Sequence, residues 1–390
     1  MDNSKFRILI VDDTPKNLQI LANILTGQGY SFEYATNGKA ALEWMEETAF
    51  DLVLLDIMMP DMDGYEVCAH LKKGPLTKDI PIIFLTAKTE TESIVKGFEM
   101  GASDYVIKPF NKNELLARIS THLSLRQTQE EIKEKNKTIV DSLNYARRIQ
   151  QAVLPDPGLL DTLCKEHFIF YRPRDIVSGD FYWIKQIKNF IFIAAADCTG
   201  HGVPGAFMSI LGVSLLNEIL GKSKLDQPNE ILNRLRKKIK SSLHQTGADN
   251  DQKDGMDMAL CMIDTETSEL QFAGAFNPLY LIRNGELHEY KGDRQPIAIY
   301  ENEISFTNHT INIQNNDIIY IFSDGFADQI GGPKDKKFKI QNFKQLLLEI
   351  NANSMERQFE IIEKTFNDWK GNNEQLDDVL IVGMRFREVF

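Results

Sequence analysis

Short apolar runs that close on an aspartate recur along this chain and constrain its fold more than any other feature. FRILIV (6–11) leads into Asp12 and Asp13, FDLVLL (50–55) into Asp56, FIFIAAA (190–196) into Asp197, and DIIYIFS (317–323) into Asp324. Runs this short, rich in Ile, Leu, Val and Phe, read as buried strands. Each carboxylate then projects from a strand end, and neighbouring strands bring such carboxylates together. Clustered hard oxygen ligands suit Mg or Mn rather than Zn.

With 390 residues the chain has room for two or three domains with separate cores. Its net charge of -12 argues against a nucleic-acid partner, which needs clustered Lys and Arg. The four cysteines, Cys68, Cys164, Cys198 and Cys261, have no CxxC spacing, so neither a zinc site nor a disulfide framework is indicated. MDNSKFRILIVDD runs straight into a strand, and no apolar run approaches the roughly 20 residues that span a bilayer. The expectation is a cytoplasmic protein with reduced thiols and no membrane partner.

In residues 1–122, FRILIV, FDLVLL and PIIFLT (81–86) alternate with helical segments such as 15–29 and 111–123. That alternation indicates βα units and a doubly wound parallel sheet covered on both faces. Ligands in such sheets bind beyond the carboxyl ends of the strands, where Asp12, Asp13, Asp56, Thr86 and Lys108 fall. Three adjacent carboxylates call for a cation, and Mg accepts carboxylates together with phosphate oxygens. An Asp there can act as a nucleophile towards phosphate, with Lys108 and the Thr86 hydroxyl binding the new phosphoryl oxygens.

The motifs DD, LLDIMMPDMDG, LTA and KPF resemble, in order and spacing, a bacterial response-regulator receiver domain of flavodoxin-like fold. The resemblance implies Asp56 as phosphoacceptor and one Mg held by Asp12, Asp13 and the Met58 carbonyl. It also implies Thr86 and Tyr105 as the switch pair, and a cognate histidine kinase as partner.

Residues 123–155 contain no Gly and no Pro before Pro155, so a helix continues through them. Leu125, Ile132, Ile139, Ala146 and Val153 repeat every seven residues, the seam of a coiled coil and hence of a homodimer. The companion positions Thr128, Lys135 and Ser142 are polar and only Ile149 is apolar, so the seam is weak. The competing reading is an amphipathic helix lying on the domain that follows.

From 165 onward the chain reads as strand-rich, with helices at 204–220, 228–245 and in the stretch before a final strand at DDVLIVGMRF (377–386). MDMALCMID (256–264), ELQFAGA, PLYLIRNGEL and EISFTNHTI read as further strands. Two sheets packed face to face with helices outside would bury them. Asp180, Asp197, Asp324 and the Asp377–Asp378 pair then form a site for two divalent ions, which can activate water for phosphate-ester hydrolysis without a protein nucleophile. Neither a GxSxG elbow nor a Cys-containing phosphatase loop is present.

RPRDIVSGDFYW, ADCTGHGVPGAFMS, DGMDMALCMID, FAGAFNPLYLIRNGEL, FSDGFAD and DDVLIVGMRF together resemble the SpoIIE-like branch of the PPM serine/threonine phosphatases. The resemblance covers 165–390 and implies an α+β β-sandwich flanked by helices, within domains at 1–122, 123–155 and 156–390. It makes Asp197 the bridge between two Mn or Mg ions, with the Cys198 carbonyl and Asp180 on one side. Asp324 and Asp377 hold the second ion, Asp378 being the alternative by one residue. The wider family often has Gly where Cys198 stands; only a backbone carbonyl is needed there.

His201 is either a general acid or a shaper of its Gly-rich turn, and Arg172 and Arg174 are candidate phosphate clamps. Asp254 and Asp257 flank a polar loop suited to a third metal or a flap. SGDF lacks the second Gly and the Glu of a diguanylate-cyclase GGDEF hairpin. The implied substrate is a phosphoserine or phosphothreonine protein such as an anti-sigma-factor antagonist. A non-enzymatic, phosphorylation-switched scaffold with a vestigial metal site is the alternative.

Overall fold

The computed structural model describes residues 3–87, 91–156, 158–222, 227–246 and 253–387, and falls into two compact units, Met1–Ile139 and Val140–Phe390. In the first unit strands and helices alternate: β1 (Arg7–Val11), α1 (Pro15–Thr26), β2 (Ser31–Ala35), α2 (Gly38–Glu47), β3 (Leu52–Asp56), α3 (Gly64–Lys73), β4 (Ile82–Thr86), α4 (Thr91–Glu99), β5 (Asp104–Ile107) and the larger part of α5 (Lys112–Val153), whose last turns belong to the second unit. The sheet is wholly parallel in the order β2-β1-β3-β4-β5, the flavodoxin-like arrangement. Alternate residues of its strands enter two cores, one against α1 and α5 and the other against α2 and α3. Both faces are thereby sealed, which is why β3 and β4 are apolar at nearly every position.

The second unit continues as α6 (Gly158–Leu163), β6 (His167–Arg172), β7 (Phe181–Ile187), β8 (Phe190–Cys198), α7 (Gly202–Lys222), α8 (Pro228–Ser242), β9 (Met256–Asp264), β10 (Glu269–Ala275), β11 (Leu279–Arg283), β12 (Glu286–Tyr290), β13 (His309–Asn312), β14 (Ile318–Phe322), α9 (Gly325–Asp328), β15 (Ile330–Gly331), β16 (Lys336–Lys337), α10 (Ile340–Ile350), α11 (Met355–Lys370) and β17 (Val379–Arg385). Two antiparallel five-stranded sheets result, β13-β10-β9-β8-β7 and β12-β11-β14-β17-β6. Strand periodicity explains the layering. In β8, Ile191, Ile193 and Ala195 face the other sheet, while Phe192, Ala194 and Ala196 face α7 and α8. The second sheet offers its outer face, including Tyr280, Tyr320 and Phe322, to α10 and α11. The architecture is the expected sandwich with a helical layer outside each sheet.

Two expectations are corrected. The strand expected over EISFTNHTI begins only at His309, because 303–308 spends its backbone groups on side chains: Gln295 Oε1 accepts from Ile304 N–H at 3.0 Å and Asp293 Oδ2 from Thr307 N–H at 2.7 Å. Gly202–Gly221, within α7, is long and apolar enough to cross a membrane by length and composition, contrary to the reading that no such run exists. More than half of it is buried, with Val213, Leu216, Ile219 and Leu220 packed in the core under the first sheet.

Candidate active site

Two acidic sites stand at strand ends, one in each unit. In the first, Asp12, Asp13 and Asp56 bring ligand oxygens within 4.8 Å of one another. Asp12 is fully buried and is held by the Thr14 N–H (2.9 Å) and the Asn17 amide (3.0 Å). Lys108 Nζ sits 2.7 Å from Asp12 and 2.8 Å from Asp56, bridging the carboxylates where Mg and phosphate would otherwise share their charge. Burial raises the Asp56 pKa, Lys108 opposes that shift, and Asp12 adds to it. Met58 follows Asp56 with its side chain exposed, and Thr86 is buried at the end of β4. Tyr105 is half-buried, with its ring edge-on to Phe98 and beneath the Arg118 guanidinium. Ile57, Phe84, Thr86, Ile94, Phe98 and Tyr105 line one apolar pocket, so the expected switch residues share a cavity wall.

The second site is made where the two sheets of the sandwich end together. Asp197, on β8, lies opposite Asp257 on β9, and Asp180 immediately precedes β7, whose Phe181 pairs with Ala196. From the other sheet, Ser323 and Asp324 follow β14, and Asp377 and Asp378 precede β17. The Ser323 hydroxyl ties the sheets together: it donates to Asp180 Oδ2 at 2.6 Å and accepts from Leu380 N–H at 3.0 Å. A Cβ on Gly325 would stand 1.9 Å from the Asp378 carbonyl oxygen, so only Gly lets α9 start this close to the Asp377–Asp378 turn. Gly205 plays the same part in α7, where a Cβ would meet the Gly200 oxygen at 2.2 Å.

The electrostatics are those of acids crowded together, with Asp180 buried, Asp197, Asp257 and Asp377 half-buried, and Asp324 exposed. Burial is the main cause in every case. It raises Asp180, which is 2% exposed, well above the carboxylate range, with Asp197 adding to the effect. Asp197 is pushed up to about 8, with Asp324, Asp377 and Asp257 adding their repulsion, and Asp257 to about 7, with Asp324 contributing. Asp324 and Asp377 are raised as well, while Lys337 opposes the shift at Asp324 and His201 and Arg174 oppose it at Asp377. Carboxylates held together this way take up either protons or cations. The donor set is all oxygen, which fits Mg or Mn. The Cys198 carbonyl oxygen lies 3.3 Å from where a Gly179 Cβ would stand, which places it next to the residue that precedes Asp180.

The neighbouring acids Asp377 and Asp378 have different surroundings. Asp378 accepts from Arg174 N–H and Gly179 N–H, both at 2.7 Å, one on each carboxylate oxygen. Asp377 accepts, among the described residues, from the Asp378 N–H alone, at 2.9 Å. Arg174 lies at the rim and donates to the Leu376 carbonyl, whereas Arg172 is drawn away: it stacks over Phe366 and donates to Asn367. His201 Nδ1 is 3.0 Å from Asp175 Oδ2. Asp254 is half-buried, and 247–252 of the polar loop beside it lies outside the described residues.

Sequence reasoning did not single out Asp175, Ser323 or Gln150. Gln150, near the end of α5, is buried and donates to the Ser178 carbonyl (2.6 Å) and Ser209 Oγ (2.8 Å), while its oxygen accepts from Ser178 N–H (3.2 Å). It thereby clasps the SGDF loop that carries Asp180. A lone Gln on a polar helix carries no signal of this kind; Ser323, adjoining Asp324, could have been read from its motif.

Comparison with known proteins agrees with this fold. The response regulator receiver domain family matches residues 8–120, and the family described as Stage II sporulation protein E (SpoIIE) matches 189–387, about half of the chain. The SiaA-PP2C domain of Pseudomonas aeruginosa is similar in structure, with TM-score 0.59 and 33% identity, over 65% of this chain and 98% of that one. The DNA-binding response regulator MtrA of Mycolicibacterium smegmatis is 44% identical over 123 residues, covering 32% of this chain and 53% of its own length. A probable cyclic di-GMP phosphodiesterase of Vibrio cholerae is 44% identical over 135 residues, covering 35% of this chain and 30% of its own length. The chain thus spans about a third to a half of these curated relatives. With the SpoIIE match over half its length, and the sandwich and its acidic strand ends in place, the chain belongs to the SpoIIE family of PPM-type phosphatase domains, here joined to a response-regulator receiver domain.

Proposed function

We infer that this protein is a response regulator whose phosphorylation on Asp56, by a histidine kinase, controls a metal-dependent phosphatase acting on phosphoserine or phosphothreonine of a partner protein. The observation that carries the reading is the convergence of Asp180, Asp197, Asp324 and Asp377 from the ends of two sheets, with Asp180 buried, Asp197 and Asp377 half-buried and Asp324 exposed, so that each raises the proton affinity of its neighbours. Desolvated carboxylates cost stability unless compensated, which disfavours a vestigial site on a scaffold.

Two Mn or Mg ions would be held by Asp180, Asp197 and the Cys198 carbonyl on one side and by Asp197, Asp324 and Asp377 on the other. When bound, they supply an acidified water and neutralise charge on the phosphoryl oxygens. Asp378 fixes the turns around Arg174 and Gly179, Ser323 aims Asp180, and Asp175 orients the His201 ring at the rim. In the receiver, Asp12, Asp13 and the Met58 carbonyl would hold one Mg. Lys108 would bind the phosphoryl group, and Thr86 and Tyr105 would report it.

The substrate that the family resemblance points to is an anti-sigma-factor antagonist, and the 123–155 helix would join two copies. Hydrolysis of p-nitrophenyl phosphate with Mn, abolished in a folded Asp197→Ala variant, is the expected result; near-normal turnover in that variant would refute the assignment.

A further inference from the structure

A basic hairpin borders the acidic site, in a chain with an excess of acids. Residues 334–339 hold Lys334, Lys336, Lys337 and Lys339 against the single acid Asp335, whereas the whole chain carries -12. The fold puts this segment at the edge of the site. Asp324 immediately precedes α9, and β15 and then β16 follow α9. The loop leading to Asp377 is laced to the same segment: Asn373 Nδ2 donates to Asp335 Oδ1 (3.0 Å), Gln329 Nε2 donates to the Glu374 carbonyl (3.0 Å), and Leu376 N–H donates to Gln329 Oε1 (3.2 Å).

The hairpin is firmly built. Gly332 N–H donates to the Trp369 carbonyl (2.7 Å), Phe338 N–H to Gln329 (3.0 Å) and Lys339 N–H to Ala327 (2.7 Å). Phe338 packs edge-on against Trp369 and Phe326, with ring centroids 5.2 and 5.1 Å away. Lys337 is spent on Asp328 at 2.7 Å. Lys334, Lys336 and Lys339 are exposed and have no ion-pair partner among the described residues. Three ammonium groups on a rigid base lose little backbone freedom when an anion binds, and they attract one over about a Debye length. A phosphoprotein needs such help here, because its phosphoryl group carries close to two negative charges and must approach a cluster of carboxylates.

We propose that the 332–339 hairpin is the docking element for the phosphoprotein substrate and selects partners whose phosphorylated residue is flanked by acidic side chains. This rests on the phosphatase reading above. The test uses the full chain with Mn, p-nitrophenyl phosphate, and two phosphoserine peptides that differ only in carrying Asp or Asn beside the phosphorylated residue. The wild type is expected to show a KM about tenfold lower for the acidic peptide, equivalent to about 1.4 kcal/mol. Lys334→Glu/Lys336→Glu/Lys339→Glu should erase that preference with kcat little changed, and salt near 0.5 M should narrow it in the wild type. The corresponding triple Ala variant, should the Glu variant not fold, is expected to lose most of the preference.

Equal KM values for the two peptides in the wild type, or a preference that survives in the variants, would overturn the proposal. A rise in p-nitrophenyl phosphate turnover in the variants would also overturn it, since the hairpin would then be holding the chain's own acidic receiver. Absence of p-nitrophenyl phosphate hydrolysis by the wild type would instead sink the phosphatase reading; fluorescence anisotropy of the two peptides would still decide whether the hairpin binds the acidic one.

Discussion

Asp377 and Asp378 are chemically identical neighbours separated by what surrounds them. Both Asp378 oxygens receive backbone N–H groups, from Arg174 and Gly179, and charge-assisted bonds of this kind contribute roughly 1.5–3 kcal/mol each. Asp378→Ala is therefore expected to lower the unfolding temperature by several degrees in scanning fluorimetry, with or without Mn. Asp377→Asn should leave the metal-free midpoint nearly in place but demand higher Mn for turnover, since mass action refills a weakened site. Those two outcomes together would mark Asp378 as the structural acid and Asp377 as the metal-facing one.

The raised acids make a second prediction at this scale. Asp197 and Asp257, at about 8 and about 7, hold protons in the metal-free fold that they release when unfolded, so their contribution to stability falls as pH rises from about 4 through those values. Mn must displace the same protons. The Mn-induced rise in unfolding temperature should be larger at pH 8.5 than at pH 6, and an equal rise at both would show that these carboxylates are not where the metal binds.

At the scale of elements, α5 serves both units. It runs unbroken from Lys112 to Val153, and Leu125, Ile132 and Ile139 are each more than half exposed, which leaves the heptad stripe free for a second copy. Its last turns do something different, placing Gln150 in a buried clasp on Ser209 and on Ser178, which is two residues before Asp180. Replacing Ile132 and Ile139 by Lys is expected to yield a monomer by light scattering. Gln150→Ala should leave the oligomeric state unchanged yet cut turnover by about tenfold or more through misplacement of Asp180, a shift of about 1.4 kcal/mol in barrier. The stripe was legible because a period of seven needs only the identity of the residues. The clasp was not, because a single Gln acquires meaning only from the backbone it reaches.

For the whole molecule, the prediction is coupling between Asp56 and the phosphatase. Moving a two-state population from 10% to 90% takes about 2.6 kcal/mol of differential stabilisation, within reach of a phosphoryl group making two charge-assisted bonds. Replacing the Lys108 bridge between Asp12 and Asp56 with Mg and beryllofluoride is expected to change p-nitrophenyl phosphate turnover severalfold in the wild type. Asp56→Asn should abolish the response. A response that persists in Asp56→Asn would place the phosphoacceptor elsewhere.

By itself the sequence determined the parallel βα order of the first unit, the long helix, and the two-sheet sandwich with acids at its strand ends. Each depends on periodicity and on short motifs, both of which are local. Only the tertiary structure decided which of two adjacent acids is saturated by backbone N–H groups, that Arg172 turns to Phe366 while Arg174 stays at the rim, and that the lysine-rich hairpin is bonded to the loop leading to Asp377. Those outcomes depend on groups far apart in the chain, such as Gly179 and Asp378, that meet only once both sheets have closed.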